Sequence, residues 1–370
     1  MPYREEDTSI YWIDSDVELA RAVESWSSVI ALDTEFIRTN TFYPIPGLYQ
    51  VASETDVFLL DPLTIENWQP FKDYLGRPDT RKIMHACMED LELIFAHLRI
   101  VPRNVFDTQL ANAYVSEDYS LSYARLIERS LGVVLDKQQT RSDWLQRPLS
   151  DDQLRYAVDD VAHLTAVYEQ LLQQLNDLQR WAWFEEDMRQ RAAYVEPQPQ
   201  VYYRQLKRAW QLDEVQLSAL QRLCEWRENV ARRLDLPRNR VIWDEHLLAF
   251  AQLHSLSEST LANFLPAAVV RRFGSQLIDV HASAGQSDTA MEILDRPLSP
   301  SQGARLKALR DVAREVATSF GLAPELLARK KDVEACLRHF NATGELSELY
   351  SGWRGEVVGT QFLQVLEAAG

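Results

Sequence analysis

Beyond residue 200 the chain carries almost no strand-like run, and its leucine-rich helical patterns repeat, so close to half of the fold is constrained to be all-helical. Leu212, Gln216, Leu220, Leu223, Val230, Ala231 and Leu236 fall on Leu298, Gln302, Leu306, Leu309, Val316, Ala317 and Leu322 at an offset of about 86 residues. Gly274 and Gln276 match Gly359 and Gln361 one residue out of step. Two divergent copies of one helical unit are expected.

The first part reads differently. Short β-like runs come early, at Val29 to Phe36, Tyr49 to Ser53 and Val57 to Asp61, the last two separated by the hairpin-length Glu54-Thr55-Asp56. Helical spacing then takes over at Ile65 to Leu75, Met88 to Leu98, Thr108 to Val115, Leu121 to Leu131 and Asp151 to Leu175, interrupted by short runs at Lys82 to His85 and Val105 to Asp107. That order predicts a mixed sheet flanked by helices. Two stretches poor in core-formers, Val195 to Val201 and Ala282 to Thr289, mark boundaries. The expected domains are 1–196, 202–283 and 290–370.

No apolar run reaches the roughly 18 residues of a membrane-spanning helix. The start lacks the basic-then-apolar order of a secretory signal, so a cytoplasmic location without membrane contact is the expectation. Cys87, Cys224 and Cys336 are far apart and in no metal-binding spacing, and are expected to be buried thiols. The net charge of −16 argues at first against a polyanionic partner. Its distribution softens the objection, because residues 1–200 hold 34 Asp+Glu against 18 Lys+Arg while the rest is balanced. An acidic part beside a neutral one fits a metal-loaded catalytic domain with separate binding domains, and equally a solvated acidic surface.

Val29-Ile-Ala-Leu32 is a continuous apolar run, as a buried strand should be, and it leads into Asp33-Thr34-Glu35. Alternation along a strand puts Asp33 and Glu35 on one face, where they repel and raise each other's pKa unless a cation stands between them. Ser150-Asp151-Asp152-Gln153 reads as a capping box, making residues 151 onward helical. Leu154, Ala157, Val158, Val161 and Leu164 form the expected buried stripe, which leaves Tyr156 and Asp160 at i and i+4 on an adjoining face. Asp90 falls in the first turn of the Met88 helix, where the helix dipole favours a carboxylate anyway. Taken singly, each of these residues has a structural explanation as a cap, a rim or a solvated charge. Asp107 is read as a cap for the helix at Thr108, and His85 as a packed residue.

Together the elements resemble the DEDD 3'-5' exonucleases of the tyrosine subclass, and within them the bacterial ribonuclease D family. The resemblance is carried by Leu32-Asp-Thr-Glu-Phe-Ile-Arg38, Phe42-Tyr-Pro44 with Gly47-Leu48, Leu60-Asp-Pro62, and His85-Ala86 with Glu89-Asp-Leu-Glu92. Phe106-Asp-Thr-Gln-Leu110 and Ser142-Asp-Trp144 with Arg147-Pro-Leu-Ser150 extend it over most of residues 10–180. Leu217 to Leu256 is similar to the HRDC module. Ile45-Pro46 and Tyr49 depart from the usual wording near the expected substrate cleft and leave 3'-end preference open.

The resemblance implies a ribonuclease H-like α/β exonuclease domain, a mixed sheet flanked by helices, followed by two all-α HRDC-like domains. It implies catalysis by Asp33, Glu35, Asp90, Tyr156 and Asp160 with two divalent cations, Mg²⁺ or Mn²⁺. One ion would be held by Asp33, Glu35 and Asp160, the other by Asp33 with Asp90 through water, and Tyr156 would orient the attacking water. The implied substrate is RNA with an accessible 3' end, such as a tRNA precursor, released as 5'-monophosphates without an obligate protein partner. Phe36, Tyr43 and a basic cluster of Arg227, Arg232, Arg233 and Arg238 are candidate RNA contacts. Two other readings remain: a DNA-directed exonuclease of the same superfamily, and a non-catalytic RNA-binding protein on the same fold.

Overall fold

The computed structural model describes residues 8–135, 142–284 and 294–368. Residues 285–289 of the second expected boundary, and the start of the chain, lie outside them. The chain divides into two compact units. The first runs up to Ile37, continues over Pro46–Tyr194, and includes the chain from Leu298 onward. The second comprises Val195–Pro297 together with an excursion, Arg38–Ile45, from the first part of the sequence.

The first unit is built on a sheet of β1 (Ser9–Ile13), β2 (Val29–Ile37), β3 (Ile45–Ser53), β4 (Asp56–Leu60), β5 (Arg81–Met84) and β6 (Val105–Asp107) in the order β1-β4-β3-β2-β5-β6. β3 and β4 form the expected antiparallel hairpin, with Val51 opposite Phe58, while β2, β5 and β6 run parallel. The sheet is therefore mixed. β1, which joins β4 in parallel at the edge, has no counterpart in the sequence reading, because its exposed Ile10 and Tyr11 break the alternation of a half-buried strand.

Among the described residues of the first part the helices are α1 (Asp16–Ser25), α2 (Gln69–Gly76), α3 (Met88–Leu98), α4 (Thr108–Val115), α5 (Tyr123–Leu131), α6 (Asp151–Ala162), α7 (Leu164–Asp177) and α8 (Trp181–Ala192). α3 and α4 have the bounds the sequence predicts. The single helix expected over 151–175 is two, with a break at His163, whose φ of −100° and ψ of −8° belong to neither. No Gly or Pro marks that break. Tyr49 is fully buried between Trp68, Phe71 and His97, so it cannot line a cleft, and its hydroxyl meets His97 Nδ1 at 2.9 Å.

In the second unit, α9 (Glu214–Leu234) leads into α10 (Arg238–Val241), α11 (Asp244–Ala251), α12 (Glu258–Ala262) and α13 (Ala267–Ala282). In the first unit, α14 (Pro300–Phe320), α15 (Glu325–Ala328), α16 (Lys330–Thr343) and α17 (Trp353–Glu367) complete the chain. The predicted repeat is physical at its leading helices. α9 and α14 are each 21 residues long, begin at capping boxes on Asp213 and Ser299, and end in left-handed caps at Asp235 and Gly321. Gly274 and Gly359 are buried on α13 and α17.

The helices after Leu298 are fastened to the sheet-bearing part. Trp353 stacks on Trp183 with ring centroids 5.0 Å apart, and Arg354 reaches both oxygens of Asp187 at 2.8 and 2.5 Å. Ala323 donates its N–H to Ala113 O at 2.9 Å. In the second unit the excursion is clasped. The N–H groups of Phe42 and Tyr43 donate to Asp235 Oδ1 at 2.9 and 3.0 Å, and the Phe42 ring lies beneath the guanidinium groups of Arg232 and Arg238. The three cysteines are buried and free, as expected.

Candidate active site

The site is set by strand parity. Thr34 turns toward α3 and donates its hydroxyl to Asp90, so Asp33 and Glu35, its neighbours on β2, project to the opposite face. There they meet Asp160 of α6: ligand atoms of Asp33, Glu35 and Asp160 all lie within 4.8 Å of one another. Asp90 stands outside that compact group but close enough to be the first charge acting on Asp33.

α6 is aimed by its start. Ser150 Oγ accepts the Gln153 N–H at 3.2 Å and Gln153 Oε1 accepts the Ser150 N–H at 3.0 Å, the predicted capping box. Before it, the Arg147 guanidinium grips Asp61 at 2.7 and 2.6 Å and the Gly47 carbonyl at 2.7 Å. Gly47 has no room for a side chain, since a Cβ there would fall 2.5 Å from Trp144 Cβ. Trp144 in turn packs beside Tyr156, ring centroids 6.1 Å apart. In the sequence Asp61, Gly47, Trp144 and Arg147 stand out only as pieces of motifs. They brace the segment that places Tyr156 and Asp160.

Four acids in so small a space disfavour their own ionisation. Burial, then Asp90, Asp160 and Glu35, hold the Asp33 carboxyl well above the usual carboxylate range. Burial and the neighbouring Asp160 and Asp90 push Glu35 up to about 9. Asp90 and Asp160 rise to about 7, chiefly through burial, with hydrogen bonds from Thr34 and Tyr156 pulling each back down. Asp160 Oδ2 is buried with no hydrogen-bond partner. An orphaned carboxylate oxygen among raised carboxyls is the environment that a hard cation relieves, and an all-oxygen donor set suits Mg²⁺ or Mn²⁺.

Other expectations resolve at the same depth. Asp107 caps α4 as predicted, accepting the N–H groups of Gln109 and Leu110. His85 is packed, hydrogen-bonded to Thr108 Oγ1 at 2.9 Å and Leu121 O at 3.1 Å. The expected stripe is buried at Ala157 and Val161 of α6 and at Leu164 of α7, whereas Leu154 and Val158 are half-buried and line a cavity of about 730 Å³ with Ile10, Trp12 and Leu59.

The basic cluster needs correction. Arg227 is 1% exposed and lies between Glu228 and Asp244 at 3.2 and 2.5 Å, under the Tyr202 ring, so it is a core residue and not an RNA contact. Its position could have shown this, since it continues the i, i+3/i+4 stripe of Leu220, Leu223, Cys224, Val230 and Ala231. Arg238 holds both oxygens of Glu228 at 2.7 Å, and Arg232 pairs with Glu196 at 3.2 Å. Tyr43 donates its hydroxyl to Glu196 at 3.2 Å. Arg233 is exposed, and Phe36 is half-buried on the strand that carries the carboxylates.

Comparison with known proteins gives this geometry a family. A family model described as 3'-5' exonuclease matches residues 10–176, and one described as HRDC domain matches residues 216–280. Ribonuclease D of Pseudomonas paraeruginosa is 40% identical, with 97% of this chain and 98% of that protein covered. Ribonuclease D of Escherichia coli is 33% identical over 96% of each. The crystal structure of Escherichia coli RNase D, described as an exoribonuclease involved in structured RNA processing, superposes with a TM-score of 0.88 at 31% identity, covering 100% of this chain and 99% of that one. The catalytic core of RRP6 from Trypanosoma brucei shares the fold at a TM-score of 0.59 and 22% identity, covering 78% of this chain and 83% of that one. The chain belongs to the ribonuclease D family of 3'-5' exoribonucleases.

Proposed function

We propose that Asp33, Glu35, Asp90 and Asp160, with Tyr156, are the hydrolytic centre with which this exoribonuclease removes 3'-terminal nucleotides one at a time as 5'-monophosphates. The observation that carries the reading is the partnerless Asp160 Oδ2 beside Asp33 and Glu35. The family depends on divalent metal. In this reading Asp33, Glu35 and Asp160 would hold one Mg²⁺ or Mn²⁺, and Asp33, with Asp90 through water, would hold a second. Bound there, the ions neutralise the carboxylates, lower the pKa of an attacking water and stabilise charge on the leaving 3' oxygen.

The chain's own groups do the rest. The Tyr156 hydroxyl, hydrogen-bonded to Asp160, orients the attacking water at the terminal phosphodiester. Thr34 holds the Asp90 carboxylate by a hydrogen bond, close enough for its charge to act on Asp33. The substrate is RNA with an accessible 3' end, and the Escherichia coli relative's role in structured RNA processing points to precursors of tRNA type. Phe36, Tyr43 and the exposed Arg233 are the proposed RNA contacts, Arg232 and Arg238 being engaged by acids and the Phe42 ring.

The test is mononucleotide release from matched RNA and DNA 3' ends with Mg²⁺ or Mn²⁺, for the wild type and Asp33→Asn. Metal-dependent release of ribonucleotides, lost in the variant, is expected. Release by the variant overturns the site, and faster removal of deoxynucleotides overturns the RNA assignment.

A further inference from the structure

Asp107 accepts more donors than a helix cap needs. Its carboxylate is fully buried and takes the N–H groups of Gln109 and Leu110 at 2.9 and 3.2 Å, which is the cap of α4. The same carboxylate takes the N–H of Ala86 at 3.0 Å and of Cys87 at 3.1 Å. Arg191 of α8 approaches it through Nε at 2.8 Å.

The extra donors belong to the turn that starts α3. The chain leaves β5 at Met84 and enters α3 at Met88, passing through Ala86 at a φ of +56°, a left-handed conformation that an alanine adopts only when held there. Cys87, the residue before α3, contributes no side-chain cap. Of the N–H groups at the start of α3, that of Cys87 is met by Asp107. His85 is tied to Thr108, whose hydroxyl donates to Met84 O at 3.1 Å, so Asp107 and Thr108 together grip the whole turn. Asp90 stands in the first turn of α3, three residues beyond Cys87. A helix start that tilts moves its first-turn side chains most.

We propose that Asp107 is a positioning residue for Asp90: with its charge matched by Arg191, it holds the left-handed turn at Ala86 and so fixes the start of α3, whose first turn carries Asp90. The inference rests on the reading of Asp90 as a metal-facing carboxylate. Asp107 touches neither the carboxylate group nor substrate, and acts through two backbone N–H groups.

The experiment compares wild type, Asp107→Asn, Arg191→Met and Asp90→Asn as full-length chains. Mn²⁺ binding is measured by calorimetry well below each melting temperature, and kcat and KM are measured on a 3'-labelled RNA. Asp107→Asn is expected to weaken the lower-affinity Mn²⁺ site by about 10- to 100-fold, the cost typical of losing a group that orients a ligand, and to lower kcat with KM unchanged. Arg191→Met leaves the buried Asp107 charge unmatched and so loosens its hold on the Ala86 turn, and is expected to weaken the same site by a smaller factor in the same direction. If Asp107→Asn does not fold, Arg191→Met carries the test alone. Wild-type Mn²⁺ binding in the folded variants, with only the melting temperature lowered, reduces Asp107 to a fold-stabilising cap and overturns the proposal. Wild-type binding and cleavage by Asp90→Asn instead overturns the reading of Asp90 itself.

Discussion

Thr34 and Asp90 are 56 positions apart in the chain, and the threonine hydroxyl donates directly to the aspartate carboxylate. This bond opposes burial, which pushes the Asp90 carboxyl up to about 7. Thr34→Val keeps the shape and removes the donor, a loss of roughly 1.5–3 kcal/mol for a bond to a charged group. In the metal-free protein the titration of the Asp90 carboxyl is expected to move up by about one pH unit or more. Superimposable titration profiles for the two proteins would sink this prediction.

The raised carboxyls also give a sign to the pH dependence of stability. Without bound metal the folded chain retains protons on Asp33, Glu35, Asp90 and Asp160 that an unfolded chain releases near pH 4. The folded state binds more protons, so this contribution to stability is present at low pH and is lost as pH rises toward the folded values of about 7 for Asp90 and Asp160 and about 9 for Glu35. Divalent cations bind the ionised form. The gap in melting temperature between Mn²⁺-loaded and chelated protein should therefore widen steadily from acid to alkaline pH, as read by scanning calorimetry.

Gly47→Ala sets a methyl 2.5 Å from Trp144 Cβ and 2.9 Å from its carbonyl, with the Glu35 carbonyl at 3.2 Å. Backbone on both sides cannot yield cheaply. A loss of about 1–3 kcal/mol is expected in urea unfolding. The strain falls on the segment that aims Tyr156, so kcat should drop as well.

Arg354→Met leaves Asp187, 12% exposed, without its guanidinium and should cost about 3–5 kcal/mol. In Arg354→Met/Asp187→Leu no unpaired charge remains, and Tyr114 keeps the Trp183 carbonyl at 3.3 Å as an acceptor. The double variant is expected to be more stable than Arg354→Met alone. A double-mutant cycle with no coupling would deny that this pair fastens the last helices to the sheet-bearing part.

Arg227 and Arg233 separate structure from binding within one helix. Arg227→Met should lower the melting temperature by removing a buried guanidinium from between Asp244 and Glu228, although Arg238 still holds Glu228, and leave KM for RNA unchanged. Arg233→Ala, at an exposed position, should do the reverse.

Much of this was legible where local chemistry decides. The α6 capping box, the bounds of α3 and α4, and the parity that puts Asp33 with Glu35 all rest on residues a few positions apart. The break at His163 was not, because both helices reach β2 but α6 otherwise packs on β4 and α7 on α4 and β5, and that divergence is tertiary. Arg227 was misassigned because a cation on a helix reads as solvated until its stripe is traced. Nor could the sequence show that Asp107 serves two helices at once. One of them starts about 20 residues upstream.

The clasp on Phe42 and Tyr43 has a consequence in time. Their partner Asp235 lies 193 and 192 residues downstream, so when Asp33 and Glu35 emerge during synthesis the loop following them has nothing to dock on. Closing so long a span waits for α9 to be made and capped. The hairpin of β3 and β4 needs no such wait, and the turn beside it settles only after more than half the protein exists.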